Sequence, residues 1–198
     1  MNHEVEVKIL LTEEAFETLS QYASSVGGQT VEQTNYYYDL PDESLRQAGL
    51  TLRVRTKNSR SILTLKAKDQ KWATGATSRE FDFPIECAPD TLCLADFPLL
   101  LAEIQKRVPH LPKTLSCLGS LTTERTCFSL PICNLTAELD KSIYFDCTDY
   151  ELECELHDRS EEERYLAFLN ETFSLTPQKA VCGKYYRFLN RLHEIQEK

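Results

Sequence analysis

The chain has 198 residues, 41% apolar and 27% charged, which suits one domain, residues 1–198, whose core needs no staple. Its 22 basic and 31 acidic residues leave a formal charge of −9. That argues against nucleic acid as a partner, because contacts to a long polyanion draw on surplus basic surface, while a small anion on a local basic cluster stays compatible. No apolar leader opens the chain and no apolar stretch nears the roughly 20 residues that cross a bilayer, so a cytoplasmic protein without a membrane partner is expected.

In chain order, residues 3–11 alternate with a period of two, with Glu4, Glu6 and Lys8 on one face and Val5, Val7 and Ile9 on the other; this predicts a strand. Thr12 then reads as an N-cap, with Glu13 and Glu14 in the first turn. A stripe of Phe16, Leu19, Ala23 and Val26 predicts a helix that Gly27 and Gly28 stop. Strands are expected over 30–39, 51–56, 61–68 and 78–85, with a hairpin turn at 58–60 and a longer loop at 71–77. Residues 89–108 read as helical in parts, with Pro98 forcing a break or a fresh start. Further strands are expected over 118–130, 135–140 and 150–157. Ser160 with Glu163 matches a capping box that opens a helix through Phe173, and a last helix spans Lys184–Gln196. Many strands with few helices predict an α+β fold, and closure into an antiparallel β-barrel would leave no sheet edge.

The eight cysteines (Cys87, Cys93, Cys117, Cys127, Cys133, Cys147, Cys154 and Cys182) form no C-x-x-C pair. They read as reduced, small core hydrophobes, and a sulfur-bound metal is not expected.

Four strands break the usual rule for half-buried strands in the same way. One face carries charge: Glu4, Glu6 and Lys8; Arg53 and Arg55; Lys66 and Lys68; Glu151, Glu153 and Glu155. The opposite faces are at least partly apolar. Any one of these faces could simply be solvated on the outside of a sheet. Together they point elsewhere, because like charges on paired strands repel unless an anion lies between them, and a carboxylate cluster calls for a shared cation. Carboxylate oxygens suit Mg²⁺ or Mn²⁺, and Arg and Lys suit phosphate oxygens, so polyphosphate with a divalent metal is the ligand class that fits both sets.

The pentapeptide Glu4-Val5-Glu6-Val7-Lys8 resembles the E-x-E-x-K signature of the CYTH superfamily, the triphosphate tunnel metalloenzymes. It is followed in order by Asn35-Tyr36-Tyr37-Tyr38-Asp39, Leu52-Arg53-Val54-Arg55, Leu63-Thr64-Leu65-Lys66, Ser78-Arg79-Glu80, Glu124-Arg125, Glu138-Leu139-Asp140, Glu151-Leu152-Glu153-Cys154-Glu155 and Gly183-Lys184-Tyr185. The resemblance spans nearly the whole chain. It implies an eight-stranded antiparallel closed barrel with flanking helices. It also implies Mg²⁺ or Mn²⁺ held by Glu4, Glu6, Asp140, Glu153 and Glu155, and a small-molecule triphosphate gripped by Lys8, Arg53, Arg55, Lys66, Arg79, Arg125 and Lys184. Glu4, Glu6, Lys8 and Lys66 would serve catalysis. The implied reaction is hydrolysis of the terminal phosphoanhydride of tripolyphosphate, thiamine triphosphate or a nucleotide. Alternatives are a class IV-type adenylate cyclase on the same scaffold and a polyphosphate-binding module without turnover.

The family often places acids two and four residues after the basic residue at Arg79, whereas Glu80 and Asp82 stand one and three away. Gly183 replaces a frequent small hydroxyl residue. Tyr36 and Tyr38 read as core residues, His157 as an exposed strand-end residue and Trp72 as a loop-packing residue. Glu138 and Lys141 are expected near the tunnel.

Overall fold

The computed structural model describes residues 2–71, 75–132, 134–175 and 182–197, and of 2–4, 70, 71, 75 and 76 it describes the backbone alone. Strand β1 (Asn2–Leu11) leads into helix α1 (Glu13–Ser25). Thr12 caps α1 as expected, its Oγ1 accepting the Ala15 N–H at 3.2 Å. Strand β2 (Gln29–Tyr38) and the single turn α2 (Ser44–Gln47) precede β3 (Leu50–Lys57), β4 (Arg60–Lys71) and β5 (Gly75–Ile85). A short strand, β6 (Thr91–Cys93), leads through a 3-10 turn to α3 (Pro98–Gln105). Strands β7 (Thr114–Ser129), β8 (Thr136–Tyr144) and β9 (Cys147–Leu156) follow, then α4 (Glu162–Phe173) and α5 (Lys184–Gln196).

The strand order is β2-β3-β4-β5-β1-β9-β8-β7-β6, and β2 also pairs with β7. Eight antiparallel strands therefore form a closed barrel, as expected, with β6 added outside it on β7. Several strands exceed their expected lengths. β4 and β5 take up most of the loop expected at 71–77, and Trp72 lies outside the described residues. Residues 89–108 give a strand before a helix, and Pro98 starts α3 at the first position, where no N–H partner is needed. The Ser160–Glu163 capping box does not form. Asp158 Oδ1 accepts the Ser160 N–H at 2.8 Å, so a 3-10 turn at Arg159–Glu161 takes the place of the expected cap.

Two compact units are distinguished by their internal contacts. The first comprises residues 1–3, 33–69 and 78–121. Its core holds Leu50, Leu52 and Val54 of β3, Leu63, Leu65 and Ala67 of β4, Leu115 of β7, and Leu100 and Ile104 of α3. The second comprises 4–32, 70–77 and 122–198. There Val7 and Ile9 of β1, Leu139 of β8, and Leu152 and Cys154 of β9 pack with Leu19 of α1 and with Tyr165 and Leu169 of α4. Period-two alternation puts these apolar residues on one side of their strands, against the helices. The opposite face carries the charged residues, with Leu10 and Ile62 among them.

The seven described cysteines are all free, but only Cys154 is buried, so the expectation that cysteines fill the core holds at one position. Among the described residues no helix is long and apolar enough to cross a membrane.

Candidate active site

In the second unit, β1, β9, β8 and β7 bring one polar face together by register: Lys8 opposes Glu153, Glu153 opposes Glu138, and Asp140 lies between Glu151 and Arg125. Lys8 Nζ is 2.6 Å from Glu153 and 2.7 Å from Glu6. Arg125 contacts Asp140 at 2.6 Å and Glu153 at 2.7 Å, and pairs closely with Glu138. Lys184, the first residue of α5, reaches Asp140 at 2.7 Å, Glu151 at 2.8 Å and Glu153 at 2.5 Å. Arg187, one turn on, holds Asp149 at 2.6 Å and Glu151 at 2.9 Å.

These pairs join six carboxylates (Glu6, Glu138, Asp140, Asp149, Glu151 and Glu153) to four cations (Lys8, Arg125, Lys184 and Arg187), a formal sum of 4 − 6 = −2. Burial disfavours charge on Glu153, but Lys184, Lys8 and Arg125 outweigh it and hold the carboxyl well below its usual range. Burial likewise opposes the charge of Lys8, and Glu153 and Glu6 override it. Glu138 is different. Burial and the neighbouring Glu153, Asp140 and Glu6 carboxylates push it up despite Arg125.

Two observations fit a divalent cation in this network. The crowding at Glu138 marks uncompensated negative charge, and Glu151 Oε1 is buried without a hydrogen-bond partner. A divalent ion would bring the formal sum to zero, and hard carboxylate oxygens suit Mg²⁺ or Mn²⁺. Among the described residues no group of three such ligands already stands ready around one point; lysine and arginine heads hold these carboxylates instead.

In the first unit, Arg53 and Arg55 of β3, Thr64 and Lys66 of β4, and Glu80 and Asp82 of β5 share the face opposite the core. Lys66 lies 3.2 Å and Arg53 3.6 Å from Glu80. Burial alone would raise the Glu80 pKa, but Arg53 and Lys66 lower it overall. Arg55 Nε donates to Asn35 Oδ1 at 3.0 Å, and Thr64 donates to Asp82 at 2.6 Å. Arg53 Nε is buried with no hydrogen-bond partner, and a buried charged donor of that kind fits an anion.

The structure thus groups Glu6, Lys8, Arg125, Asp140, Glu153 and Lys184 in one unit and Arg53, Arg55 and Lys66 in the other. Glu155 lies opposite Glu6 in register and is exposed. Glu4 is on β1, and its side chain lies outside the described residues. Arg79 does not join its set. It shares the face of Phe81 and Phe83 and binds Asp69 at 3.1 Å, as the offset of Glu80 and Asp82 foreshadows. Tyr38 is a core residue whose hydroxyl donates to the Pro89 carbonyl at 2.7 Å. His157 is exposed beside Glu161.

The sequence counted Glu151 in the acidic cluster without making it a metal ligand, marked Glu80 only by its offset from Arg79, and did not single out Arg187. The alternation that marked Glu153 marks Glu151 equally, and Arg187 lies three residues after Lys184, on the same helical face.

A closed antiparallel barrel whose strand faces carry paired acids and bases defines a CYTH-type protein. The CYTH domain family model matches residues 2–180, and the chain belongs to that family. A candidate triphosphatase of Bacillus subtilis (strain 168), YjbK, is 27% identical over 188 residues, 93% of either chain. Two solved structures share the fold. One is a candidate adenylyl cyclase from Hippeastrum, HpAC1, with TM-score 0.73 and 20% identity over 95% of this chain and 96% of that one. The other is a candidate adenylate cyclase from Bacillus halodurans, with TM-score 0.74 and 23% identity over 95% and 99%.

Proposed function

We propose that this protein is a metal-dependent triphosphatase that cleaves the terminal phosphoanhydride of inorganic tripolyphosphate or a related organic triphosphate, with Mg²⁺ or Mn²⁺ as cofactor. The observation that carries the reading is the buried carboxylate–cation network with its formal sum of −2. The triphosphatase named in the Bacillus subtilis relative and the dominant triphosphatase activity stated for the Hippeastrum protein agree with it.

In this reading Glu4, Glu6, Asp140, Glu153 and Glu155 are the metal ligands, with Glu138 and Glu151 beside them. When bound, the ion would draw electron density from the phosphoryl group and help orient the attacking water. Lys8, Arg125 and Lys184, and in the first unit Arg53, Arg55 and Lys66, would bind phosphate oxygens and neutralise charge that builds on the leaving group. Each of these cations exchanges a carboxylate or a side-chain partner for a phosphate oxygen, so little new charge has to be desolvated. Arg79 is left out because it is committed to Asp69.

The test is phosphate release from tripolyphosphate, thiamine triphosphate, ATP and pyrophosphate with Mg²⁺, Mn²⁺ or EDTA, with cyclic AMP measured in the ATP samples. EDTA-sensitive release from tripolyphosphate without cyclic AMP is expected. Cyclic AMP without matching phosphate would make the chain a cyclase, and folded protein that binds tripolyphosphate without turnover would make it a binding module. Lys66→Ala should weaken tripolyphosphate more than pyrophosphate in competition assays; an equal loss would remove Lys66 from the grip.

A further inference from the structure

Arg187 touches none of the residues assigned above to metal or phosphate, yet it is only 12% exposed and its guanidinium is fully engaged in three directions. Nε meets Asp149 Oδ2 at 2.6 Å, Nη2 meets Glu151 Oε2 at 2.9 Å, and Nη1 donates to the Cys182 carbonyl. The same Asp149 Oδ2 also accepts from the Tyr144 hydroxyl at 2.7 Å. The oxygen of Glu151 that Arg187 binds is the same Oε2 that Lys184 binds at 2.8 Å, and the other oxygen, Oε1, has no partner.

We infer that Arg187 is a positioning residue that shares the charge of Glu151 and so keeps Lys184 available to a phosphate group. The inference rests on the triphosphatase reading and extends it to a residue that does not contact substrate. Glu151 is 1% exposed, so its charge must be answered by cations within reach. With Arg187 in place, that charge is divided between two cations, and Lys184 is left with an even hold on Asp140, Glu151 and Glu153. Without Arg187, the whole charge of Glu151 falls on Lys184. An incoming phosphate must then compete with an unshared buried carboxylate for the same ammonium. The planar fork suits this task, because it spans Asp149 and Glu151 at once and fixes both.

The test is calorimetric binding of the hydrolysis-resistant diimidotriphosphate, with Mg²⁺, to wild type, R187M, R187K, E151Q and E151Q/R187M. R187M should bind about tenfold more weakly than wild type, in the range of couplings within one ion-pair network. E151Q/R187M should recover most of that loss, because the charge Arg187 answers is gone. A residue that merely supports the fold would give a double variant no better than R187M. R187K, which keeps the charge but not the fork, should lose less than R187M. If R187M fails to fold by circular dichroism, R187K carries the comparison, and binding equal to wild type overturns the inference. Wild-type affinity in R187M, or no recovery in E151Q/R187M, also overturns it. A folded wild type that does not bind the probe would instead overturn the triphosphatase reading, and the inference with it.

Discussion

Glu153 meets Lys8, Arg125 and Lys184 within 2.7 Å, so its charge is shared among three half-buried cations. Glu153→Gln should abolish metal-dependent phosphate release and lower the unfolding free energy by about 3 kcal/mol in urea titrations, while the protein remains folded. A variant that keeps most of its activity would remove Glu153 from the site. Glu80 gives a pH-dependent case. Its folded pKa is lowered from 4.5, so its contribution to stability is fully present above that value and is lost as pH falls through the depressed folded value. The gap in melting temperature between wild type and E80Q should therefore be steady near neutral pH and close below about pH 4.5; a gap that widens on acidification would contradict the arrangement. Most of these residues were legible as candidates, because alternation alone assigns a strand residue to a face. Arg79 was a candidate by residue type, and its parity with Phe81 and Phe83 rather than with Glu80 and Asp82 is what sets it on the other face.

The β3–β4 hairpin turns through Asn58 and Ser59, both at positive φ (50° and 59°), with Lys57 and Arg60 paired across it. Two such residues make the tight turn whose twist matches that of the strands, and the second position prefers glycine. Ser59→Gly should raise stability by about 0.5–1 kcal/mol without altering tripolyphosphate turnover, as read by urea unfolding and phosphate release; a destabilised variant would contradict the turn geometry. The position of this turn was readable from the polar run at 58–60. So were α1, from its cap and stripe, and α5, whose bounds agree with expectation. The start of α4 was not, because an aspartate two residues before Ser160 offers a competing acceptor that a short pattern does not weigh. The full length of β7 was hidden for a related reason. Its first residues, Thr114 to Cys117, make only a short alternating run close to Pro112, and their partner is the three-residue strand β6.

Each compact unit has its own apolar core, and neither is built around a metal ligand. Protein stripped with EDTA should therefore remain folded, and Mg²⁺ should raise its melting temperature by linkage, worth about 2.7 kcal/mol at a hundred times the dissociation constant. Calorimetric scans with and without EDTA decide this: loss of structure on chelation would make the metal part of the fold. The barrel was legible from strand count and from the family resemblance. The charge balance of its polar face was not, because it depends on which carboxylate each cation reaches.

Cys154 lies fully buried on β9, and its thiol is pushed up to about 12 by that burial. Reagents that modify cysteine act on the thiolate, so at neutral pH this sulfur is both hidden and chemically silent. Yet β9 also carries Glu151, Glu153 and Glu155 on its other side. Any opening that releases Cys154 to iodoacetamide must loosen the strand that presents those carboxylates. The rate of alkylation at this one atom is thus a clock for the opening of the acidic strand, readable by mass spectrometry.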